Sequence, residues 1–254
     1  MNKDKELSKR QLRRQQMRRQ QMRTRIWTIV LVTVGALLLA LVLIYPNVKP
    51  VGEIATAEPF PRPQTQANTA GDPNAPIKIE EFSDFQCPVC ARFYQDIEPE
   101  LIQTYVATGT VYFVYRSMGE FIGPESVAAA EAAYCAGDQN KFWEMHDTIF
   151  ANHSGENVGD YTNRRLKSFA ETIGLDMGEF NSCLDGGKYR DEVNQDAVDG
   201  RAAGVTGTPS FLLTYTVNGE TKTRFLPGAY PVNDPSLETD FKREIEAALA
   251  EMGK

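Results

Sequence analysis

Cys87-Pro88-Val89-Cys90 constrains this chain more than any other stretch, because of what flanks it. Ahead of it, the apolar run from Ile77 to Phe82 reads as a strand. Behind it, Ala91, Phe93, Tyr94, Leu101, Ile102 and Tyr105 read as a helix. The junction puts Cys87 at the N-cap and Pro88 at the first helical position. There the fixed φ of proline suits a helix start, and its missing N–H would have had no partner. The free N–H groups of Val89 and Cys90 and the positive end of the helix dipole face the Cys87 sulfur, which favours a thiolate. Cys90, one turn on, is placed to close a disulfide with it. A C-x-x-C serves zinc, haem and redox chemistry alike; one set between a strand and a helix is far more specific for redox.

The formal net charge of −7 conceals two opposite parts. Residues 1–25 carry ten Lys and Arg against two acidic residues, whereas the remainder carries 17 basic and 32 acidic residues. An acidic folded part argues against nucleic-acid binding. The basic tail repeats itself as Arg13-Arg14-Gln15-Gln16-Met17 and Arg18-Arg19-Gln20-Gln21-Met22. Directly after it, Ile26 to Tyr45 is an uncharged apolar run of 20 residues with Trp27 and Tyr45 at its ends. As a helix it is about 30 Å long, the thickness of a bilayer core. The expectation is an uncleaved, single-pass signal anchor (26–45), with a basic cytoplasmic tail (1–25) and everything after Tyr45 outside. Residues 46–70 hold Pro46, Pro50, Pro59, Pro61 and Pro63 and read as a semi-extended linker with little that can pack.

The folded domain is expected from Gly71 to residue 254. Val111 to Arg116 is β-branched and aromatic and reads as a second strand. Helical patterns then follow one another: Pro124–Ala136, a face of Phe142, Met145, His146, Ile149 and Phe150, and another of Leu166, Phe169, Ala170 and Ile173. Asp176 reads as the cap of a further helix, and a last one in this block spans about 191–203. Strand character returns at Ser210–Val217, turns at Asn218-Gly219 and comes back over Thr221–Leu226, a hairpin. Asp234-Pro235 reads as the opening of a final helix carrying Leu237, Phe241, Ile245 and Leu249. The order predicts an α/β core with an all-helical insertion at about 118–203.

Ahead of the hairpin stands Gly207-Thr208-Pro209, where a proline entering a strand must be explained, since it cannot donate to the ladder. Together with Phe82-Ser83-Asp84-Phe85-Gln86-Cys87-Pro88-Val89-Cys90, the helical insertion and the membrane anchor, it makes the chain resemble the DsbA-like thiol-disulfide oxidoreductases of the thioredoxin superfamily. The resemblance covers Gly71 onward and implies a thioredoxin fold. It also implies a cis Pro209 against the disulfide, with Pro88, Val89, Thr208 and Pro209 meeting the substrate. The implied activity is introduction of disulfides into reduced exported proteins, with a quinone-linked membrane protein as reoxidant. The rivals are a membrane-anchored reductase or isomerase, for example in cytochrome c maturation, and a non-enzymatic metal carrier or holdase. The family's name-giving member has His at the position of Val89, so a milder oxidant is expected here.

Glu81 matches a family position for a partly buried carboxylate beneath the disulfide, able to relay the Cys90 proton; the alternative is a solvated strand-edge residue, as Glu80 is expected to be. Cys135 and Cys183 fall on apolar helix faces, as plain buried thiols do. With Cys87 and Cys90 accounted for, a structural Cys135–Cys183 disulfide is the better expectation outside the cytoplasm. His146 reads as a packed core residue and His153 as loop. Two histidines and one C-x-x-C assemble no four-ligand zinc site, so neither metal nor cofactor is expected. The expected state is a monomer.

Overall fold

The computed structural model describes residues 9–48, 51–58 and 60–254; residues 1–8 of the basic tail, and Pro50 and Pro59 of the proline-rich segment, lie outside the described residues. The chain divides into two units, Met1–Gly52 and Glu53–Lys254. In the first, α1 spans Lys9–Val48, so one helix takes in much of the basic tail and the apolar run. It is long and apolar enough to cross a membrane, and its apolar side chains from Ile26 to Tyr45 are almost all exposed.

The second unit is built on a five-stranded sheet: β1 (Thr69–Ala70), β2 (Ile77–Ser83), β3 (Val111–Ser117), β4 (Ser210–Val217) and β5 (Glu220–Pro227), in the spatial order β1-β3-β2-β4-β5. β2 and β3 run parallel, and β4 and β5 are antiparallel to their neighbours. β2 is therefore central: Ile77, Ile79, Glu81, Phe82 and Ser83 are buried, while Lys78 and Glu80 are half-buried. The hairpin turns on Asn218 (φ 52°) and Gly219 (φ 82°), the two positive φ values that a type I′ turn requires.

Between β2 and β3 lie α2 (Pro88–Asp96), α3 (Glu98–Leu101) and a π turn (Ile102–Val106). The sequence pattern suggests one helix here, but it breaks at Ile97. Pro99 accounts for this, since its ring excludes the carbonyl that an uninterrupted helix would place four residues earlier. The insertion comprises α4 (Pro124–Gly137), α5 (Phe142–Ala151), α6 (Asn163–Thr172), α7 (Met177–Gly186) and α8 (Arg190–Ala202). Asp176 caps α7 by accepting from the Glu179 N–H, as its position predicts. Cys135 in α4 and Cys183 in α7 form a disulfide with Cα atoms 5.8 Å apart.

Three expectations are corrected. The final helix, α9 (Phe241–Glu251), opens at Asp240, which caps the Arg243 N–H; Asp234 instead folds a local turn by accepting from Ser236. Glu80 is not solvated but pairs with Arg116, which also holds Asp196 and Asp199 on α8. The proline-rich segment is not a linker with little that can pack. From Ile54 onward it packs on the domain: Ile54 and Phe60 join the core, Ala55 exchanges two hydrogen bonds with Asn152, and Arg62 is buried. Its many prolines cost it backbone donors, but the side chains of Ile54, Phe60 and Arg62 and the backbone of Ala55 anchor it.

Candidate active site

Cys87 occupies the N-cap of α2 with extended backbone (φ −77°, ψ 119°), and Pro88 opens the helix. The loop that delivers it is fastened at several points. Asp84, buried, accepts from the Gln86 and Ile122 N–H groups, and burial pushes its carboxyl up to about 6. The Gln86 side-chain amide donates to Ser126 Oγ and its carbonyl accepts from the Asn157 N–H. His153 Nε2 lies 2.8 Å from the Gln86 carbonyl, and the Tyr161 hydroxyl donates to that of Phe85. The helical insertion thus holds the backbone immediately before Cys87.

The two sulfurs are not equivalent. Both are buried, but Cys87 keeps 6% exposure whereas Cys90 has none. A hydrogen bond from the Cys90 thiol brings Cys87 down to about 5, helped by the Thr208 hydroxyl and the Cys90 and Val89 N–H groups against the opposing effect of burial. Burial and the nearby Cys87 charge push Cys90 the other way, well above the ordinary thiol range. As a thiol, Cys87 Sγ donates to the Thr208 carbonyl at 3.3 Å; the buried Thr208 hydroxyl then has no acceptor and becomes a donor once the sulfur is ionised. Thr208–Pro209 is cis. The sequence-predicted residues Cys87, Cys90, Thr208 and Pro209 therefore converge, with Pro88 exposed and Val89 half-buried beside them.

Glu81 in β2 is 2% exposed, which decides between its two readings in favour of the buried carboxylate. Burial and the neighbouring Glu98 charge hold it protonated well above the usual carboxylate range. Glu98 belongs to a buried ion-pair group that the sequence reading did not identify: Arg62 Nε donates to Glu98 Oε1 at 2.9 Å, and its two terminal nitrogens grip Asp147 at 2.8 and 2.9 Å. Asp147 also lies 2.9 Å from His146 Nδ1, and the His146 ring is enclosed by Phe85, Tyr94, Tyr115, Phe142, Trp143 and Phe150. His146 is the packed core residue its pattern suggests.

A strand-to-helix dithiol with one depressed and one elevated thiol, opposed by a cis-proline loop and carried on a mixed five-stranded sheet with a helical insertion, defines a thioredoxin-type redox domain of DsbA-like architecture. A family model described as Thioredoxin matches residues 64–224, and the chain belongs to that family. Among curated relatives, the protein named "Na(+)/H(+) antiporter NhaA 1" of Salinispora arenicola is 32% identical over 144 residues, 56% of this chain and 21% of that protein. The chain thus spans about a fifth of the length of that antiporter. The Bacillus cereus protein named "Probable disulfide bond formation protein D" is 30% identical over 145 residues, 55% of this chain and 66% of that protein. The crystal structure of oxidised BdbD from Bacillus subtilis superposes with a TM-score of 0.57 at 19% identity, covering 80% of this chain and all of that one, a likeness of fold.

Proposed function

We propose that this protein is a membrane-anchored dithiol oxidase that introduces disulfide bonds into exported proteins through Cys87 and Cys90. The observation that carries the reading is the split between the two sulfurs, Cys87 near 5 and Cys90 far above it. In the oxidised protein a substrate thiolate attacks Cys87 Sγ, the Cys87–Cys90 bond breaks, and Cys90 leaves with the electron pair and takes up a proton. In this reading the donor is Glu81, which is buried, held protonated, and near enough to Cys90 to raise its pKa. A second substrate thiolate then attacks the substrate sulfur of the mixed disulfide and expels Cys87. A low leaving-group pKa speeds that expulsion and stabilises the reduced form, which makes the disulfide the stronger oxidant. Two electrons pass from substrate to protein and a disulfide is left in the substrate.

Orientation follows from the charge bias: the basic tail is cytoplasmic, the catalytic unit extracytoplasmic, and α1 the single span between them. Disulfides persist on that side of the membrane. The substrates are reduced, unfolded chains, met by Pro88, Val89, Thr208 and Pro209; the chain works as a monomer, and a quinone-linked membrane protein resets the disulfide. The test is a single turnover: oxidised full-length protein in detergent is mixed with an equimolar reduced dithiol peptide. The reading expects near-stoichiometric peptide disulfide, abolished by Cys87→Ser. Peptide that stays reduced while Cys87–Cys90 stays oxidised would overturn it.

A further inference from the structure

Beneath the dithiol two buried carboxylates, Glu98 and Asp147, pair with the guanidinium of Arg62, and a third buried acid, Glu81, lies within electrostatic reach of both Glu98 and Arg62. Arg62 stacks between Phe60 (3.8 Å) and Trp143 (4.4 Å) and is 3% exposed, so it is fixed in place and shielded from water. It holds Asp147 bidentately and Glu98 through one oxygen only. Glu98 Oε2 is buried and has no hydrogen-bond partner among the described residues. The side chain is therefore anchored by Arg62 through Oε1 and has no hydrogen bond at Oε2. We infer that Glu98 is a positioning residue of the redox reaction: fixed by Arg62, its charge keeps the proton on Glu81 that Glu81 hands to the departing Cys90.

Two carboxylates in one low-dielectric site cannot both ionise cheaply, and the one with the counter-ion keeps its charge. The groups facing Glu81 are Glu98 from α3, Arg62 from the proline-rich segment, Cys87 at the N-cap of α2 and Cys90 within it, and Tyr115 from β3. Those around Glu98 and Arg62 are Asp147 and His146 of α5 and Tyr94 of α2. Of these, the Glu98 charge acts on Glu81 most strongly after burial itself, ahead of the opposing Arg62. The inference rests on the dithiol reading above, and it makes the segment leading from α1 a supplier of the redox site's electrostatics.

The test is a carboxyl-carbon NMR titration of Glu81 in the full-length protein in detergent micelles, for wild type, Glu98→Gln and Glu98→Asp. Gln can still accept from Arg62 but carries no charge; Asp restores the charge. Glu98→Gln is expected to lower the Glu81 midpoint by about one pH unit or more, and Glu98→Asp to return most of that shift. If Glu98→Gln fails to fold, Glu98→Met carries the same expectation. Reduction of the Cys87–Cys90 disulfide by dithiothreitol supplies the kinetic counterpart. Here a dithiothreitol thiolate bonds to Cys87 Sγ, the disulfide breaks, and Cys90 takes the Glu81 proton. Glu98→Gln is expected to slow this by about threefold or more at a pH between the two Glu81 midpoints that the titration gives, and hardly at all at a pH well below both, where Glu81 is protonated in both proteins. A purely structural role would slow both alike. A Glu81 midpoint unmoved by Glu98→Gln, or an equal rate loss at both pH values, overturns the inference alone; a Cys87–Cys90 pair that never forms a disulfide overturns the reading beneath it.

Discussion

Replacing Cys90 by alanine removes the interaction that does most to hold Cys87 near 5. A hydrogen bond to a charged group contributes about 1.5–3 kcal/mol, and one pKa unit corresponds to about 1.4 kcal/mol. The Cys87 pKa in Cys90→Ala should therefore rise by about one to two units, to between about 6 and 7. Cys90→Ser keeps a donor at the same place and should stay within about half a unit of wild type. The assay is the pH dependence of iodoacetamide alkylation of the reduced protein, read against thiolate absorbance at 240 nm. The sign of the linked stability follows from the same shift. A thiol whose folded pKa lies below its unfolded value stabilises the reduced folded protein above the unfolded pKa, and that contribution vanishes as pH falls through about 5. A Cys90→Ala midpoint still near 5 would refute the reasoning and transfer the stabilisation to Thr208 and the helix N-terminus.

Two further predictions concern the scaffold. Cys135 and Cys183 are 48 residues apart, so their bond is worth about 4 kcal/mol in the chain-entropy account. The Cys135→Ala/Cys183→Ala variant should then melt roughly 8–16 °C lower by circular dichroism, and a fall of about a degree would contradict the account. Gly200 in α8 has no room for a Cβ, which would sit 2.6 Å from Met118 Sδ and 2.8 Å from Phe82 Cδ1, whereas at Gly186 in α7 nothing lies within 4 Å. Gly200→Ala should destabilise by about 1–3 kcal/mol through overpacking, against a helix propensity that favours it. Gly186→Ala should be neutral or stabilising by up to about 1 kcal/mol; equal denaturation midpoints for the two variants would refute the packing argument.

How much of this was legible depended on how local each signal was. The strand, the dithiol and the helix start are contiguous, and the hairpin carries its own turn chemistry in Asn218-Gly219, so both could be read directly. The insertion helices declared themselves through 3.6-residue periodicity. Arg62 did not, because its partners Glu98 and Asp147 lie 36 and 85 residues away and an ion pair leaves no periodic trace. It stands, moreover, between Pro61 and Pro63, in a composition that reads as linker. His153 escaped in the same way: its contact with the Gln86 carbonyl is 67 residues distant. The break at Ile97 was visible in principle, since Pro99 was its signal and the apolar pattern around it outweighed that signal. Register could not settle Glu81 against Glu80; only the burial of the one and the Arg116 pairing of the other separate them.

The most direct test of the central claim is the reduction potential of the Cys87–Cys90 pair at pH 7, by equilibration against glutathione buffers with thiol-specific gel-shift readout. The full-length protein is the right sample, because a domain cut at Gly71 would lose Arg62 and leave Glu98 and Asp147 buried without their counter-ion. The account predicts a value above roughly −180 mV, in the range of disulfide-forming proteins. A value near about −270 mV, that of thioredoxin, would contradict it and make the protein a reductase.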